Sequence, residues 1–544
     1  MAQCKTSPEV GGMGHSVKRK EDPRFIRGQG NYVDDIVRPG MVFMDIVRSP
    51  YAHAKIKSIN TEKALAHPGV AAVITGETLK EYNLHMMPTL MSDTQMVLPI
   101  EKVCYQAQEV AAVIATDRYS AADGVELVEV EYEPLPVVVD PHKATDPDAP
   151  IIRDDKEGQD SNHIFHWEAG DKSGTDEIFK NADVTVKENI YLPRIHVASI
   201  ETCGCLSEFD SVTGRLTVWM TTQAPHAIRT VLALVAGHVG LQEDKIRVIS
   251  PDIGGGFGGK VPVYPGYVIA IAASVVTGLP IKWIEDRREN LQADSFARDY
   301  HMTCEIAADK DGTLNGLRIN TLADHGYADA AANPSKWPAG MFSICTGSYN
   351  FKNAFVEVDG VYTNKPPGGI AYRCSFRVTE AVHAIERMVD MVADELGMDA
   401  AEIRMNNFIP KDAFPYKSPM GWEYDSGDYH GALKLAMKKI GYDKLLKEQA
   451  KKREKGELMG IGISSFTEVV GAGPSKDFDI LGIKMFDSSE IRIHPTGKVI
   501  ARFGTKSQGQ GHETTYAQII AEELGIPHSD VTVEEGDTDT APYG

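Results

Sequence analysis

The chain carries one structural unit twice, and this constrains its fold more than any other feature. Residues 213–252, TGRLTVWMTTQAPHAIRTVLALVAGHVGLQEDKIRVISPD, share their layout with residues 496–537, TGKVIARFGTKSQGQGHETTYAQIIAEELGIPHSDVTVEEGD. Both read Thr-Gly turn, strand, a loop with Gln and His, helix, Gly, short loop, strand, Asp. The second loop is longer by two or three residues. Chance resemblance between two strand–helix–strand pieces is the alternative. The repeated turn, the Gln/His loop and the Gly stop favour duplication, with each copy starting one half of a single assembly.

A helix start offers unpaired N–H groups and the positive end of a dipole, which suit phosphate or another anion. Two such loops facing across a pseudo-symmetric seam would grip a large anionic ligand from both sides. Gln223, a plain capping amide if read alone, becomes a candidate contact as the counterpart of Gln508 or Gln510. His512 rises above an ordinary hydrogen-bonded histidine only through its place in the second loop. Thr515 with Gln518 has the spacing of a capping box at the second helix.

The fold class expected is α+β, a mixed α/β chain. At 544 residues it is too long for one hydrophobic core. Residues 1–145 read as a domain of mixed strands and helices, with strands at 70–75, 109–115 and 127–139. The polar, turn-rich stretch 145–162 reads as a linker. A second domain, 146–455, holds strands at 215–222 and 245–250. It also holds a helix in which Val378, Val382, Ile385, Val389, Val392 and Leu396 recur at helical spacing and Gly397 supplies the stop. The charged run 447–457 reads as a solvated helix end or a second linker, and a third domain occupies 456–544.

Charge and composition exclude several roles. With 77 acidic against 56 basic residues the net charge is −21, which phosphate backbones repel, so nucleic acid is not expected as a partner. No apolar run reaches the roughly 18 residues of a membrane span; the best candidate, 268–276, reads as a short buried element. The polar N-terminus lacks a signal core, and seven sparse cysteines fit a reducing cytoplasm.

Three familiar motifs fail in context. PDIGGGFGGK (251–260) contains Gly254, Gly256 and Gly259 in GxGxxG spacing, but Pro262 and Pro265 follow, so no helix opens at the third glycine. Gly254 to Lys260 also matches GxxxxGK, but Val261 stands where a phosphate loop needs Ser or Thr. What remains is a loop stripped of side chains except Phe257, which lets backbone approach a ligand closely; the alternative is a tight turn. HETTY (512–516) has Tyr516 where a metalloprotease needs its second histidine.

Cys203 and Cys205 have no second pair of cysteines and no ferredoxin spacing, so they read as structural thiols. Cys374, in GGIAYRCSFR, follows the Pro366–Gly369 break and precedes a helix, between Arg373 and Arg377. Flanking cations and a helix start stabilise a thiolate. Packing and function stay open on these grounds. One thiolate is too few ligands for zinc but enough, with another sulfur, for Cu(I).

GNYVDDI (30–36), PDIGGGFGGK, SFARDYHM (295–302), AYRCSFR (371–377) and GQGHETTYAQI (509–519) together resemble the large subunit of the xanthine dehydrogenase family of molybdenum hydroxylases, over essentially the whole chain. AYRCSFR is similar to the loop of the aerobic molybdenum–copper, carbon monoxide-oxidising branch, where other branches carry a small residue in place of the cysteine. The resemblance implies an N-terminal hammerhead-like domain and duplicated molybdopterin-binding subdomains. It implies molybdenum held by the dithiolene of molybdopterin cytosine dinucleotide, without a protein ligand to that metal. Cys374 would hold Cu(I), and Gln223 would sit beside the molybdenum oxo group, these two being the catalytic residues. Cofactor contacts would come from Gly255, Gly256, Phe257 and Gly258, from Arg373, Ser375 and Phe376, and from Gln508, Gly509, Gln510, His512 and Thr515. The implied reaction is CO + H₂O to CO₂, two protons and two electrons. The electrons would leave through two [2Fe–2S] clusters on a small subunit and FAD on a medium subunit, in a dimer of heterotrimers. The setting implied is the cytoplasm or the inner face of the inner membrane.

Large subunits of the family run on for roughly 250 residues more by the same resemblance, and their active-site glutamate has no counterpart here. The chain is therefore expected to be C-terminally incomplete and, alone, to bind cofactor poorly. Two other readings stand beside the first: a hydroxylase of aldehydes or N-heterocycles, which a glycine at position 374 would favour, and an inactive cofactor-binding scaffold.

Overall fold

The computed structural model describes residues 6–89, 93–328, 344–370, 372, 378–467 and 487–544. A seven-stranded sheet forms one half of the framework. Its N-terminal strands are β1 (Val42–Arg48), β2 (Val70–Thr75) and β3 (Glu109–Ala115). Its others are β4 (Gly204–Asp210), β5 (Arg215–Met220), β6 (Ile246–Ile249) and β7 (Ile281–Ile284). The order is β6-β5-β4-β7-β1-β3-β2, so strands from both sides of residue 145 share one ladder. The join is β1 on β7, parallel, with Val42 opposite Ile281. β3, EVAAVIA, is buried at every residue, which explains its unbroken apolar run: a central strand covered on both faces does not alternate.

Helix α1 (Pro225–Ala236) and helix α2 (Pro265–Thr277) pack on this sheet. The expected short element at 268–276 is the body of α2, whose residues Pro265–Ser274 are all buried. Pro265 is at its first turn, where a missing N–H costs nothing, so the proline that argues against a helix at the third glycine opens one six residues later.

A second, five-stranded sheet runs in the order 184–192, 300–308, 314–324, 353–361, 163–170. Helix α3 (Val378–Leu396) covers one face, with Ile385, Val389 and Val392 in a core shared with Met302, Ile306, Leu317 and Val356. Gly397 ends α3 at φ +64°, as expected of a stop.

Both repeats fold alike. In the first, β5 and β6 pair in parallel with α1 between them (Leu216 opposite Ile246), and β4 lies antiparallel to β5. In the second, β8 (Ser489–Ile493) lies antiparallel to β9 (Val499–Phe503). Helix α4 (His512–Leu524) then leads to β10 (Val531–Glu535), parallel to β9, with Val499 opposite Val531. The copies join at their last strands. Ile249 bridges Asp537, Ser250 N donates to Gly536 O at 2.7 Å, and Thr538 N donates to Val248 O at 3.0 Å. Arg247 grips Asp537 through both carboxylate oxygens, at 3.0 and 2.6 Å.

Three expectations need correction. Residues 145–162 are not a loose linker: Arg153 and Ile152 have no exposed surface. The Arg153 guanidinium reaches Asp155 at 2.8 Å and Asp93 at 3.4 Å, and lies 4.6 Å from the Tyr327 ring centre. Asp155 within the segment and Asp93 outside it answer one buried cation, while Asp146, Asp148, Glu157 and Asp160 stay exposed, a mixture composition cannot resolve. The expected strand 127–139 is limited to Glu129–Pro134. The capping box at Thr515 does not form. α4 begins at His512 after Gly511, so Thr515 lies inside the first turn and its hydroxyl donates to Gly511 O at 3.1 Å, while Gln518 donates to Gly12 O and His15 O.

Candidate functional site

The glycine loop 251–260 leaves β6 and folds over the end of β5, where Gln223 sits. Its backbone grips that residue from several sides. Gln223 N donates to Lys260 O at 2.9 Å. Gln223 Oε1 accepts from Gly258 N at 2.9 Å and Lys260 N at 3.3 Å. Two backbone donors on one oxygen fix which way round the amide lies, since an N–H cannot donate to an NH₂. The Nε2 group is therefore turned away from the loop, and it donates to Gln508 Oε1 at 3.2 Å.

Glycine is required where this grip is closest. A Cβ on Gly256 would lie 2.5 Å from Gln223 Cδ. Gly255 and Gly258 have φ of +94° and +93°, and between them Phe257 adopts φ +51° and is 57% exposed. A left-handed, exposed aromatic in a glycine loop is strain held in place by its surroundings, a feature concentrated at functional sites.

The second repeat's loop supplies the other wall. Gln508 N donates to Gln510 Oε1 at 2.6 Å, Gln510 Nε2 meets His512 Nε2 at 3.0 Å, and His512 Nδ1 meets Glu535 Oε2 at 3.0 Å. A carboxylate only accepts, so His512 carries its proton on Nδ1 and accepts the Gln510 amide at Nε2. Its ring stacks on Tyr516, with centroids 4.7 Å apart. Gly509 and Gly511 take φ of +109° and +93°, and Arg19 donates to Gly509 O at 3.0 Å.

The arrangement suits an anion. Neither α1 nor α4 has a side-chain cap, in contrast to the helices capped by Asp117, Asp171, Asp286, Asp399 and Asp428. Pro225 has no N–H, Ile228 N closes on Ala224 O and Thr514 N on Gly511 O, so only the N–H groups of His226, Ala227, His512 and Glu513 are left for another acceptor. Beside the second loop opens a cleft of about 590 Å³, bordered by Arg19, Arg24, Arg502 and Lys506 and by the carboxylates of Glu21, Asp252, Glu513, Glu534 and Glu535. Lys506 is 9% exposed, its ammonium group makes no hydrogen bond or ion pair among the described residues, and burial lowers its pKa. The nearby carboxylates of Glu535, Asp252 and Glu513 oppose that shift.

The structure thus brings together Gln223, Gly255, Gly256, Phe257, Gly258, Gln508, Gly509, Gln510 and His512. Thr515 turns its hydroxyl back to its own helix. Arg373, Cys374, Ser375 and Phe376 lie outside the described residues, but the chain on either side of them is anchored. Arg298, 5% exposed at φ +63°, donates to Tyr372 O at 2.7 Å and Thr379 Oγ1 at 2.6 Å, and pairs with Glu380 at 2.7 Å. Cys203 and Cys205 are buried, and burial pushes both thiols up, as structural thiols require. Sequence reasoning missed Lys506 and Arg298. The only signals were a lysine beside the Gln/His loop and an arginine in SFARDYHM, and burial is what marks them.

Comparison with known proteins agrees with this architecture. Residues 27–136 match the aldehyde oxidase and xanthine dehydrogenase a/b hammerhead domain, and residues 156–408 and 435–544 each match a molybdopterin cofactor-binding domain. The carbon monoxide dehydrogenase large chain of Afipia carboxidovorans is 61% identical over 98% of this chain and 67% of its own length. That of Hydrogenophaga pseudoflava is 59% identical over 98% of this chain and 68% of its own. A crystal structure of the Cu,Mo-CO dehydrogenase in its carbon monoxide-reduced state superposes with a TM-score of 0.95 at 60% identity, over 99% of this chain and 69% of that one. A hammerhead domain followed by two cofactor-binding domains, at this identity, makes the chain a member of the carbon monoxide dehydrogenase large-chain family.

Proposed function

We propose that the chain is the catalytic large subunit of a molybdenum–copper oxidoreductase that converts CO and water to CO₂, two protons and two electrons. The observation that carries this reading is the 61% identity to a carbon monoxide dehydrogenase large chain along 98% of the sequence. The meeting of the two repeats at Gln223 and Gln508 supports it. When bound, molybdopterin cytosine dinucleotide supplies two-electron redox chemistry at molybdenum and Cu(I) supplies a soft site for CO. In this reading the Cys374 thiolate holds the copper. Gln223, its carbonyl taken by the glycine loop, offers its NH₂ as a donor at the seam. Gly256 and Gly258 let backbone approach, and Gln508, Gln510 and His512 form a rigid wall. Lys506 offers a cation to anionic groups of the cofactor.

The electrons pass to a small [2Fe–2S] subunit and a medium FAD subunit in a dimer of heterotrimers, and the setting is cytoplasmic. No helix among the described residues is long and apolar enough to cross a membrane. Domain limits at about residues 145 and 455 complete the reading.

The test is to purify the chain with its partner subunits, measure molybdenum and copper, and follow dye reduction with CO. Copper near one per molybdenum with CO-dependent turnover is expected. Turnover of aldehydes or N-heterocycles without copper would point to the hydroxylase reading instead. A Cys374→Ser variant is expected to lose copper and CO turnover together, and one that keeps full CO activity sinks the copper assignment.

A further inference from the structure

Lys260 ends a motif that no phosphate loop explains. It is 2% exposed, and its ammonium group lies 2.8 Å from Glu201 Oε2. The same oxygen accepts Gly254 N at 2.8 Å, and Glu201 N donates to Gly254 O at 3.1 Å. Glu201 therefore holds the first residue of the Gly254–Lys260 loop by backbone and side chain, and the last residue by an ion pair. The approach is tight, because a Cβ on Gly254 would lie 2.6 Å from Glu201 Cβ.

Between the two tethered ends, Gly258 N and Lys260 N both point at Gln223 Oε1, while Lys260 O accepts Gln223 N. Five glycines in six residues have little preference for this one path. The path is fixed from outside. We propose that the Glu201–Lys260 pair is a positioning device: by pinning both ends of the glycine loop to one carboxylate, it sets the orientation of the Gln223 amide and keeps its NH₂ turned toward the repeat seam. Both residues act through the loop and Gln223. Glu201 is one-fifth exposed while Lys260 is buried, so removing the carboxylate leaves a buried ammonium and removing the ammonium frees the loop end.

The pair's effect on turnover rests on the carbon monoxide-oxidising reading, and the test has a second readout that does not. Lys260→Met, Lys260→Arg, Glu201→Gln and the Glu201→Gln/Lys260→Met double variant are prepared in the complete complex. Hydrogen exchange of residues 254–260 is followed, together with molybdenum content, the Mo(V) electron paramagnetic resonance spectrum and CO-dependent kinetics. Exchange of the loop is expected to rise at least about 10-fold in Lys260→Met, with a shifted Mo(V) spectrum and kcat lowered by on the order of 10- to 100-fold at little change in KM. Lys260→Arg should restore most of the loss. The double variant should be no worse than the worse single, because the two act as a unit. Wild-type exchange and spectrum in Lys260→Met and Glu201→Gln overturn the proposal, as does a loss of turnover that only tracks lost molybdenum. If the wild-type complex does not oxidise CO while loop exchange still responds to the variants, the functional reading fails and the positioning role stands.

Discussion

Gln223 Nε2 donates to Gln508 Oε1 at 3.2 Å, so glutamines from the corresponding loops of the two repeats touch each other. The contact is one link in a chain of hydrogen bonds across the seam. It runs from Glu535 through His512, Gln510, Gln508 and Gln223 to the glycine loop, and ends at Lys260 and Glu201. Each amide is oriented by its neighbours, so the wall is set before a ligand arrives, and preorganised donors lose little on reaction.

Gln223→Glu keeps the shape of this side chain and removes its only donor. One carboxylate oxygen still accepts the glycine-loop N–H groups, but the other would face Gln508 Oε1, acceptor against acceptor. In the complete complex CO-dependent kcat is expected to fall by roughly 100-fold, the scale of losing one preorganised donor. Molybdenum content should stay within about 2-fold, because backbone and the other loop still hold the cofactor. Full turnover in this variant would remove Gln223 from the reaction.

Gly256→Ala tests the closeness of the loop. Its Cβ would sit 2.5 Å from Gln223 Cδ and 2.6 Å from Oε1, distances that real side chains do not show. The amide must move, and the Gly258 and Lys260 hydrogen bonds with it. Turnover is expected to fall at least about 10-fold, while the thermal midpoint drops only by an amount worth about 1–3 kcal/mol. Equal turnover of variant and wild type would mean the loop is free to shift.

The repeat was legible because its parts are local: a turn, two strands, a helix and a glycine stop each have a signature within a few residues. That the two loops face each other followed from symmetry, but which of Gln508 and Gln510 meets Gln223 did not. The seven-stranded sheet was not legible, because Val42 and Ile281 pair from far apart in the sequence and leave no mark on either strand. Arg153 was hidden for a related reason. RDDKEG reads as solvated, and only tertiary structure places the guanidinium at zero exposure against Asp93 and Tyr327. Lys506 was missed on the same ground. The prolines did exclude a helix at Gly259, but Pro265 itself opens one, since a proline that breaks a helix interior is favoured at a helix start.

Arg298 joins the two ends of the segment that carries Cys374. Its guanidinium reaches Tyr372 O, Thr379 Oγ1 and Glu380 at once, and a planar fork of donors is what allows three fixed partners. Arg298→Met leaves Glu380 buried and unpaired. Copper per molybdenum is expected to drop at least about 2-fold, and CO turnover in proportion, with Arg298→Lys intermediate because a single ammonium cannot span all three partners. Unchanged copper content in Arg298→Met would separate this residue from the cysteine segment.

Glu285 and Asp294 lie in the interior beside Cys203, 3% and 6% exposed. Asn290 donates to both, at 3.0 and 2.6 Å, and Cys203 N donates to Glu285 Oε2 at 3.3 Å. The neighbouring cation Arg48 is engaged by Glu109 and Glu289. Burial therefore holds both carboxyls above their usual range, and the folded chain keeps protons that the unfolded chain releases. The sign follows. A carboxyl raised in the fold contributes stability that is fully present below pH of about 4, where unfolded carboxyls titrate, and loses it as the pH rises through the raised value. Asp294→Asn replaces the protonated acid by a neutral group of the same shape. The variant is expected to unfold with a flatter pH dependence above pH 4, by up to about 1.4 kcal/mol per pH unit for one proton. It should gain on the wild type as the pH is raised. Denaturation midpoints measured from pH 5 to 8 decide the matter: parallel curves for the two proteins would mean that the pair is already ionised in the fold.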